Sequence, residues 1–203
     1  MAITPETRDY RTFEVRALSA DGSGEEQKYR VEGYAAVFDE ETVLYEYDGI
    51  EYKEVIDRSA FSGAEMRDVV MNYNHGGKPV ARTKNGTLQL TVDTRGLRIS
   101  ADLSGTEEGR RLYEEIRGGY LDQMSFAFTV NKQEYDRAKH LRRITGFKRV
   151  FDVAAVDIPA YDGTSIAARS WAKAEAEREH AEADKRRRLE LKLKTYGITK
   201  EEK

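Results

Sequence analysis

Between residues 11 and 170 the chain repeats short stretches in which apolar and polar residues alternate, and this period of two most constrains its fold. Alternation places the apolar side chains on one face of a β-strand. The alternating stretches are 12–18, 29–38, 87–93, 96–103, 124–130 and 144–158. One short apolar run, at 68–73, is also a strand candidate. Because many strand edges need protection, we predict a closed or nearly closed antiparallel β-barrel.

One helix interrupts the strands, at about residues 105–117. Ser104 and Glu107 fit a capping box, Leu112 and Ile116 lie one turn apart, and two glycines follow. The residues at 131–143, NKQEYDRAKHLRR, are polar and are interpreted as a connection. TLQLTVD and GLRISADL flank Thr94-Arg95 and predict a hairpin. The fold class is therefore mostly β with few helices (α+β).

The charged residues are unevenly distributed. Residues 171–203 hold 10 Lys or Arg and 8 Asp or Glu, which leaves the body with a net charge of −5. This end is rich in good helix formers. We therefore predict a flexible N-terminus at 1–10, a main domain at 11–170 and a charged helical tail at 171–203. The basic run 185–188 is interpreted as a helix face neutralised by upstream Glu; binding of nucleic acid is the alternative.

Composition excludes several classes of protein. The chain has no cysteine, so it has no disulfide framework, no thiolate metal site and no thiol nucleophile. No apolar run approaches the roughly 18 residues of a membrane span, and the first residues lack a signal segment. The formal net charge of −3 does not favour nucleic acid. Common metal, nucleotide and calcium motifs are absent. We expect a soluble intracellular protein without cofactor or metal.

Three residues carry candidate chemistry. His75 follows an apolar strand and precedes two glycines, where a general base could project from a rigid element. In MSFAFTV the small residues Ser125, Ala127 and Thr129 share the face opposite the bulky ones. Asp152 is expected to share a face with Val150, Ala154 and Val156, where an acid must be solvated or paired.

Each candidate also has a simpler interpretation. His75 could be a loop histidine bonded to backbone, and Ser125 could lie on a strand face that packs closely. His140 and His180 are interpreted as solvated surface residues.

Taken together, a candidate base, nucleophile and acid occur along the chain in the order His, Ser, Asp. Catalytic triads of this kind are known in several chain orders. Asp157 is interpreted as a strand-end or turn residue.

Five segments, in consistent order over roughly residues 10–168, resemble the HK97-type prohead (capsid maturation) proteases of tailed bacteriophages. They are VEGYAAVFDEET (31–42), EVIDRSAF (54–61), VVMNYNHGGKPVART (69–83), GRRLYEEIRGGYLDQMSFAF (109–128) and FDVAAVDIPAYDGTSI (151–166). The resemblance implies a herpesvirus-assemblin-like fold and a serine endopeptidase, with His75, Ser125 and Asp152 at the triad positions. Three residues depart from the family pattern: Ser59 and Ala127 stand where Gly is common, and Asp152 stands where Glu is usual.

The resemblance also implies partners and a location. The substrates would be the major capsid protein with its scaffolding segment and the protease itself, inside the immature capsid (prohead) in the host cytoplasm. Homodimer formation is a further expectation. Backbone N–H groups of 161–164 are candidate oxyanion donors, and Arg169-Ser170 is a candidate self-cleavage position. The tail is expected either to direct the enzyme into the shell or to aid solubility. A non-catalytic capsid assembly or scaffolding protein is the alternative function.

Overall fold

The computed structural model describes residues 9–17, 29–157 and 166–195, without the side chains of 9–16, 166–170 and 195. The described chain contains ten strands, a 3₁₀ turn at Thr83–Asn85 and two helices, α1 (Glu107–Arg117) and α2 (Ile166–Thr195). The strands are β1 (Asp9–Ala17), β2 (Arg30–Val37), β3 (Thr42–Tyr47), β4 (Ile50–Ile56), β5 (Val70–Tyr73), β6 (Gly76–Arg82), β7 (Leu88–Val92), β8 (Gly96–Asp102), β9 (Gln123–Asp136) and β10 (Leu141–Val156).

The strands form one mixed sheet. Its path is β3-β4-β10-β9-β1-β2-β8-β7, and the β5–β6 hairpin is joined to it through β10. Most pairs are antiparallel, but β10 pairs in parallel with β4 over residues 141–144 and with β5 over residues 152–155. The mostly β, α+β fold class is therefore confirmed. The final third of β10 lies between β5 and β9. Asp152 lies on β10, Ser125 lies on β9, and β5 leads into the turn that contains His75.

The sheet is open, and the predicted closed barrel is not found. Within the described ranges, no ladder joins β6 to β7, although only the 3₁₀ turn separates them in sequence. Pro79 in β6 has no N–H to donate to a further strand, which suits an edge. Instead, the Arg82 N–H donates to the Thr87 hydroxyl at 2.9 Å, so a side chain satisfies the backbone at this corner.

The long β9–β10 hairpin replaces the polar connection expected at 131–143. Its strands pair from Gln123 and Val156 as far as Asp136 and Leu141, so the expectation of a loop was wrong. The polar residues lie on the more exposed, outer half of the hairpin. The inner half supplies the core, where the rings of Phe61, Phe126, Phe128 and Phe147 pack with centroids 4.6–6.4 Å apart.

Helix α1 begins at Glu107, close to the prediction, but its cap differs. Thr106 is the N-cap, and its hydroxyl accepts a hydrogen bond from the Gly109 N–H at 2.9 Å. Ser104 lies two residues too early for that role. Leu112 and Ile116 are buried as expected, so the helix packs on the core through the predicted face.

The first half of α2 is packed against the sheet. Ala172 and Ala176 are buried against Leu44 of β3 and Tyr52 of β4, with Trp171 beside them. The Arg142 guanidinium lies 4.9 Å from the centre of the Trp171 ring. The second half of the helix carries Leu189, Leu191 and Leu193, which are about half exposed. Of the region predicted as a charged helical tail, the described residues 171–195 are helical, and the side chains of 180–194 are exposed.

Glu179 is the polar anchor of this packing. Its carboxylate accepts hydrogen bonds from the hydroxyls of Tyr52 and Tyr135, both at 3.0 Å. His140, in the β9–β10 turn, places its Nδ1 2.9 Å from the same carboxylate. His140 is therefore part of an interface within the protein, and the expectation of a solvated surface histidine was wrong. His180 is half exposed and lies 3.8 Å from Asp184.

Candidate active site

Ser125 lies on β9 with its side chain on the face away from the aromatic core. Met124, Phe126 and Phe128 are fully buried on the core face, as the alternation predicts. Ser125 and Thr129 are also buried, at 3% and 6% exposure, on the opposite face. The small side chains on that face, including the fully buried Ala127, allow a close approach of other groups.

A β-bulge places Asp152 on the same face as Ser125. On β10, Val150 pairs with Phe128 and Asp152 pairs with Ala127, so two steps along β10 match one step along β9. Val150 therefore packs in the core. The prediction that Val150 and Asp152 share a face was wrong, because a strict period of two does not include the extra residue. Strand bulges are common next to active sites.

His75 is the second residue of a two-residue hairpin turn. Tyr73 and Gly76 are paired as the last residues of β5 and the first of β6. Between them, Asn74 and His75 both have positive φ, 48° and 55°. Positive φ at both central positions is what a type I′ turn requires, and its twist matches that of the strands. His75 is thus held on a tight turn, in a backbone conformation that a residue with a side chain rarely adopts.

The turn brings His75 to Asp152. The Nδ1 atom of His75 lies 2.5 Å from Oδ1 of Asp152. Asp152 is only 6% exposed, so a lone carboxylate here would be costly and the imidazole is its partner. An ionised carboxylate only accepts hydrogen bonds, so the proton of this bond belongs to Nδ1. The bond therefore selects the tautomer in which Nε2 has a lone pair, as a general base needs.

Ser125 is one strand away from this pair. It is in register with Ala154, two residues beyond Asp152 on β10, which makes Ser125 and Asp152 diagonal neighbours on one face. Such neighbours lie roughly 7–8 Å apart. Among the described residues no hydrogen bond joins the Ser125 hydroxyl to His75 or Asp152, so the structure joins His75 to Asp152 and places Ser125 nearby. The candidate oxyanion donors at 161–164 lie outside the described residues.

Sequence reasoning missed Asn72 of β5. It is in register with Ala154 from the other side, so it shares the face of Ser125 and Asp152. Asn72 is only 7% exposed, and its Oδ1 has no hydrogen-bond partner within the described chain. Its position in VVMNYNH, two residues before the turn, is the signal that could have identified it.

An open groove of about 680 Å³ adjoins the histidine turn on the other side of the hairpin. Tyr73, Val80, Leu112 and Leu121 line it between β6 and α1. Tyr73 and Asn72 are neighbours in β5 and therefore point to opposite faces of the sheet, so the groove lies on the face opposite Ser125.

Across the part of the chain that is described, no cluster of His, Asp and Glu could hold a metal ion. Neither α1 nor α2 has the length and apolarity that crossing a membrane requires.

Comparison with known proteins gives one match. No curated protein and no solved structure is significantly similar to the chain. The family model described as caudovirus prohead serine protease matches residues 12–179. That range includes the histidine turn, Ser125, Asp152 and the packed half of α2, and it is most of the chain. The protein therefore belongs to the caudovirus prohead serine protease family, whose members are serine peptidases of bacteriophage capsid maturation.

Proposed function

We propose that this protein cleaves the scaffolding segment of the major capsid protein and its own chain inside the prohead, with Ser125 as nucleophile, His75 as general base and Asp152 as the orienting acid. One observation carries the assignment of residues. The hydrogen bond between His75 and Asp152 lies over the sheet face to which Ser125 belongs. Family membership supports the reaction class, and the resemblance to phage maturation proteases supports the substrates.

In the acylation step, the Ser125 Oγ attacks the scissile carbonyl carbon and a C–O bond forms. Its proton passes to Nε2 of His75, while the carbonyl π electrons move to oxygen. Asp152 stabilises the resulting imidazolium through Nδ1. The C–N bond then breaks as the tetrahedral intermediate collapses, and Nε2 returns the proton to the leaving amine. The product is an acyl ester on Ser125 and a new N-terminus.

Deacylation repeats these steps with water as the nucleophile. His75 accepts a proton from water as its oxygen attacks the ester, and then protonates Ser125 as the C–O bond breaks. The oxyanion of each intermediate needs two or more N–H donors. We assign these donors to the backbone N–H groups of 161–164, which follow β10 in the sequence. The Ser125–His75 hydrogen bond forms when substrate is bound, since such bonds are commonly looser in its absence.

The distal half of α2 is proposed to direct the enzyme into the shell and then to be removed. Arg169 and Ser170 lie within α2, and a protease would have to unwind the helix there to bind its backbone in extended form. The residues that follow up to Glu179 hold α2 on the sheet. We therefore place self-trimming beyond residue 180. Homodimer formation and closure of the sheet into a barrel in the assembled particle stay predictions.

The test is to follow the mass of the full chain over time, alone and with the precursor of the phage's major capsid protein. We expect Ser125→Ala and His75→Ala each to abolish trimming and capsid cleavage. Ser62→Ala replaces an exposed serine of a loop and serves as the matched control. A fluorophosphonate probe adds a readout that does not need the substrate, because an activated serine displaces its fluoride and forms a P–O bond.

Two results would contradict the proposal. Normal processing by Ser125→Ala would show that the nucleophile is wrong. A parent chain that folds, fails to react with the probe and leaves capsid protein intact would favour the non-catalytic assembly protein instead.

A further inference from the structure

Three polar groups connect the histidine turn to the end of β10. The Tyr73 hydroxyl donates to Oδ2 of Asp157 at 2.8 Å. The Asp157 N–H donates to Oδ1 of Asn74 at 3.3 Å, and the Asn74 N–H donates to the Ala155 carbonyl at 2.9 Å. These contacts link Tyr73 and Asn74, the two residues that precede His75, to the end of the strand that carries Asp152.

The environment of these groups distinguishes them from core residues. Tyr73 is 42% exposed, and Asn74 and Asp157 are exposed as well. Hydrogen bonds at exposed positions contribute little to folding, because water competes for each group. The bond to Asp157 raises the pKa of Tyr73 above its ordinary value, as expected for a phenol that donates to a carboxylate.

The turn needs such support because of its backbone. Positive φ at both Asn74 and His75 is unfavourable for residues that have a Cβ, and it persists where the surroundings enforce it. Asn and His are among the non-glycine residues in which positive φ is least rare, but it still costs free energy at both positions. The turn closes the β5–β6 hairpin, and its second visible result is the contact between His75 and Asp152.

We infer that Tyr73, Asn74 and Asp157 form a positioning clamp that holds the histidine turn on β10 and thereby sets the orientation of the His75 ring toward Asp152. None of the three touches the reacting atoms, so they are positioning residues. The clamp makes the base and its orienting acid parts of one rigid unit, since both are fixed to the last residues of β10. This role rests on the proposed function of His75 as general base.

The test compares variants of the full chain by two measurements. The first is the low-field proton resonance of the His75 Nδ1–H that is bonded to Asp152, recorded in the resting protein and in the Ser125→Ala background. The second is the rate of fluorophosphonate labelling of Ser125. The variants are Tyr73→Phe, which removes only the hydroxyl, and Asn74→Ala, which removes the acceptor and disfavours positive φ.

We expect both variants to broaden or abolish the resonance and to slow labelling by about tenfold, as small displacements of catalytic groups do. Asn74→Gly lacks the acceptor but permits positive φ, so its labelling rate should lie between those of Asn74→Ala and the parent. Tyr34→Phe is the matched control, because Tyr34 donates to Asp93 at the same 2.8 Å far from the site. It should match the parent in both measurements.

The clamp would be overturned if Tyr73→Phe and Asn74→Ala had the same resonance and labelling rate as the parent. It would also be overturned if Tyr34→Phe lost the resonance and the labelling rate to the same extent as those two variants. Should Tyr73→Phe fail to fold, Asp157→Ala decides in its place, because it removes the same bond from the other side. Failure of the proposed function is distinguishable: in that case either the parent fails to react with the probe or Ser125→Ala still reacts with it, while the resonance continues to report on the clamp.

Discussion

His75 and Asp152 are 77 residues apart in the chain, yet their side chains are joined by a hydrogen bond of 2.5 Å. The contact depends on two irregularities in the strands. A bulge in β10 turns Asp152 away from the core, and a hairpin turn with positive φ at both positions carries His75. The bulge interrupts the regular ladder and the turn closes the β5–β6 hairpin, and together they create the pair.

The pair leads to a prediction for Asp152→Asn. An amide at this position can donate to Nδ1, which would favour the tautomer that has its proton on Nε2 and cannot accept one from Ser125. We expect the labelling and cleavage rates to fall by about 10²–10⁴-fold, with little change in substrate binding, because the geometry is otherwise retained. Single-turnover cleavage of the capsid precursor measures the effect.

Asp152→Glu is the matched variant for this experiment. It keeps the acceptor and adds one methylene, and Glu is the residue usual at this position in the phage proteases that the sequence resembles. We expect it to retain far more activity than Asp152→Asn. Equal losses in the two variants would show that shape rather than tautomer decides the rate.

Asn72 gives a prediction about stability. Its buried Oδ1 lacks a partner among the described residues, and an unmade hydrogen bond of this kind costs about 1–3 kcal/mol. We expect Asn72→Leu, of similar size, to leave the free energy of unfolding unchanged or to raise it by about 1 kcal/mol. Urea denaturation monitored by circular dichroism provides the measurement.

Thr129→Val is the control, since the Thr129 hydroxyl is also buried and unpartnered within the described chain and valine has the same shape. It should stabilise the protein too. A loss of more than about 1 kcal/mol in Asn72→Leu alone would show that Asn72 has a bond in solution that the structure does not contain.

Much of the sheet could be predicted from the sequence, because strands with one buried face show a period of two. The β7–β8 hairpin and the core face of β9 were found in this way. The positions at which prediction failed are those where polar contacts or added residues override that period. The bulge at Phe151 reversed the face of Val150, and the polar outer half of the β9–β10 hairpin looks like a loop. His75, Ser125 and Asp152 were chosen as candidates from their local patterns and from the family resemblance, and no sequence pattern shows that a turn brings the first to the third.

The packing of α2 predicts how far the chain can be shortened. Ending the chain after Ser170 removes the side chains that cover Leu44 and Tyr52. Losing this apolar burial and the Glu179 contacts would cost about 2–3 kcal/mol. We expect the melting temperature to fall by about 5–10 °C, measured by calorimetry.

A chain that ends after Ala183 is the control for the truncation. It keeps Glu179 and removes only the half of α2 that extends from the sheet, including the exposed leucines. It should melt within about 2 °C of the parent. If both truncations melt at the same temperature, the contacts of residues 171–179 do not stabilise the sheet.

The interface around Glu179 also predicts a loss of stability at alkaline pH. Burial, followed by the hydrogen bond to Glu179, raises the pKa of Tyr52 from its ordinary value of 10 to about 12. Burial raises the pKa of Tyr135 as well, and its hydrogen bond to the same carboxylate adds to the effect. Below pH 10 both tyrosines are protonated in the folded and the unfolded chain, so their contribution is fully present. Above pH 10 the unfolded chain loses the Tyr52 proton first, and stability falls until about pH 12.

We expect Tyr52 alone to account for a loss of about 2–3 kcal/mol across this range. The free energy of unfolding, measured by urea denaturation at pH 9, 10, 11 and 12, should decline more steeply for the parent than for Tyr52→Phe, which has no proton to lose. Tyr120→Phe is the control, because Tyr120 is 83% exposed, and its profile should follow that of the parent. Parallel profiles for Tyr52→Phe and the parent would show that burial and the bond to Glu179 do not raise the pKa of Tyr52.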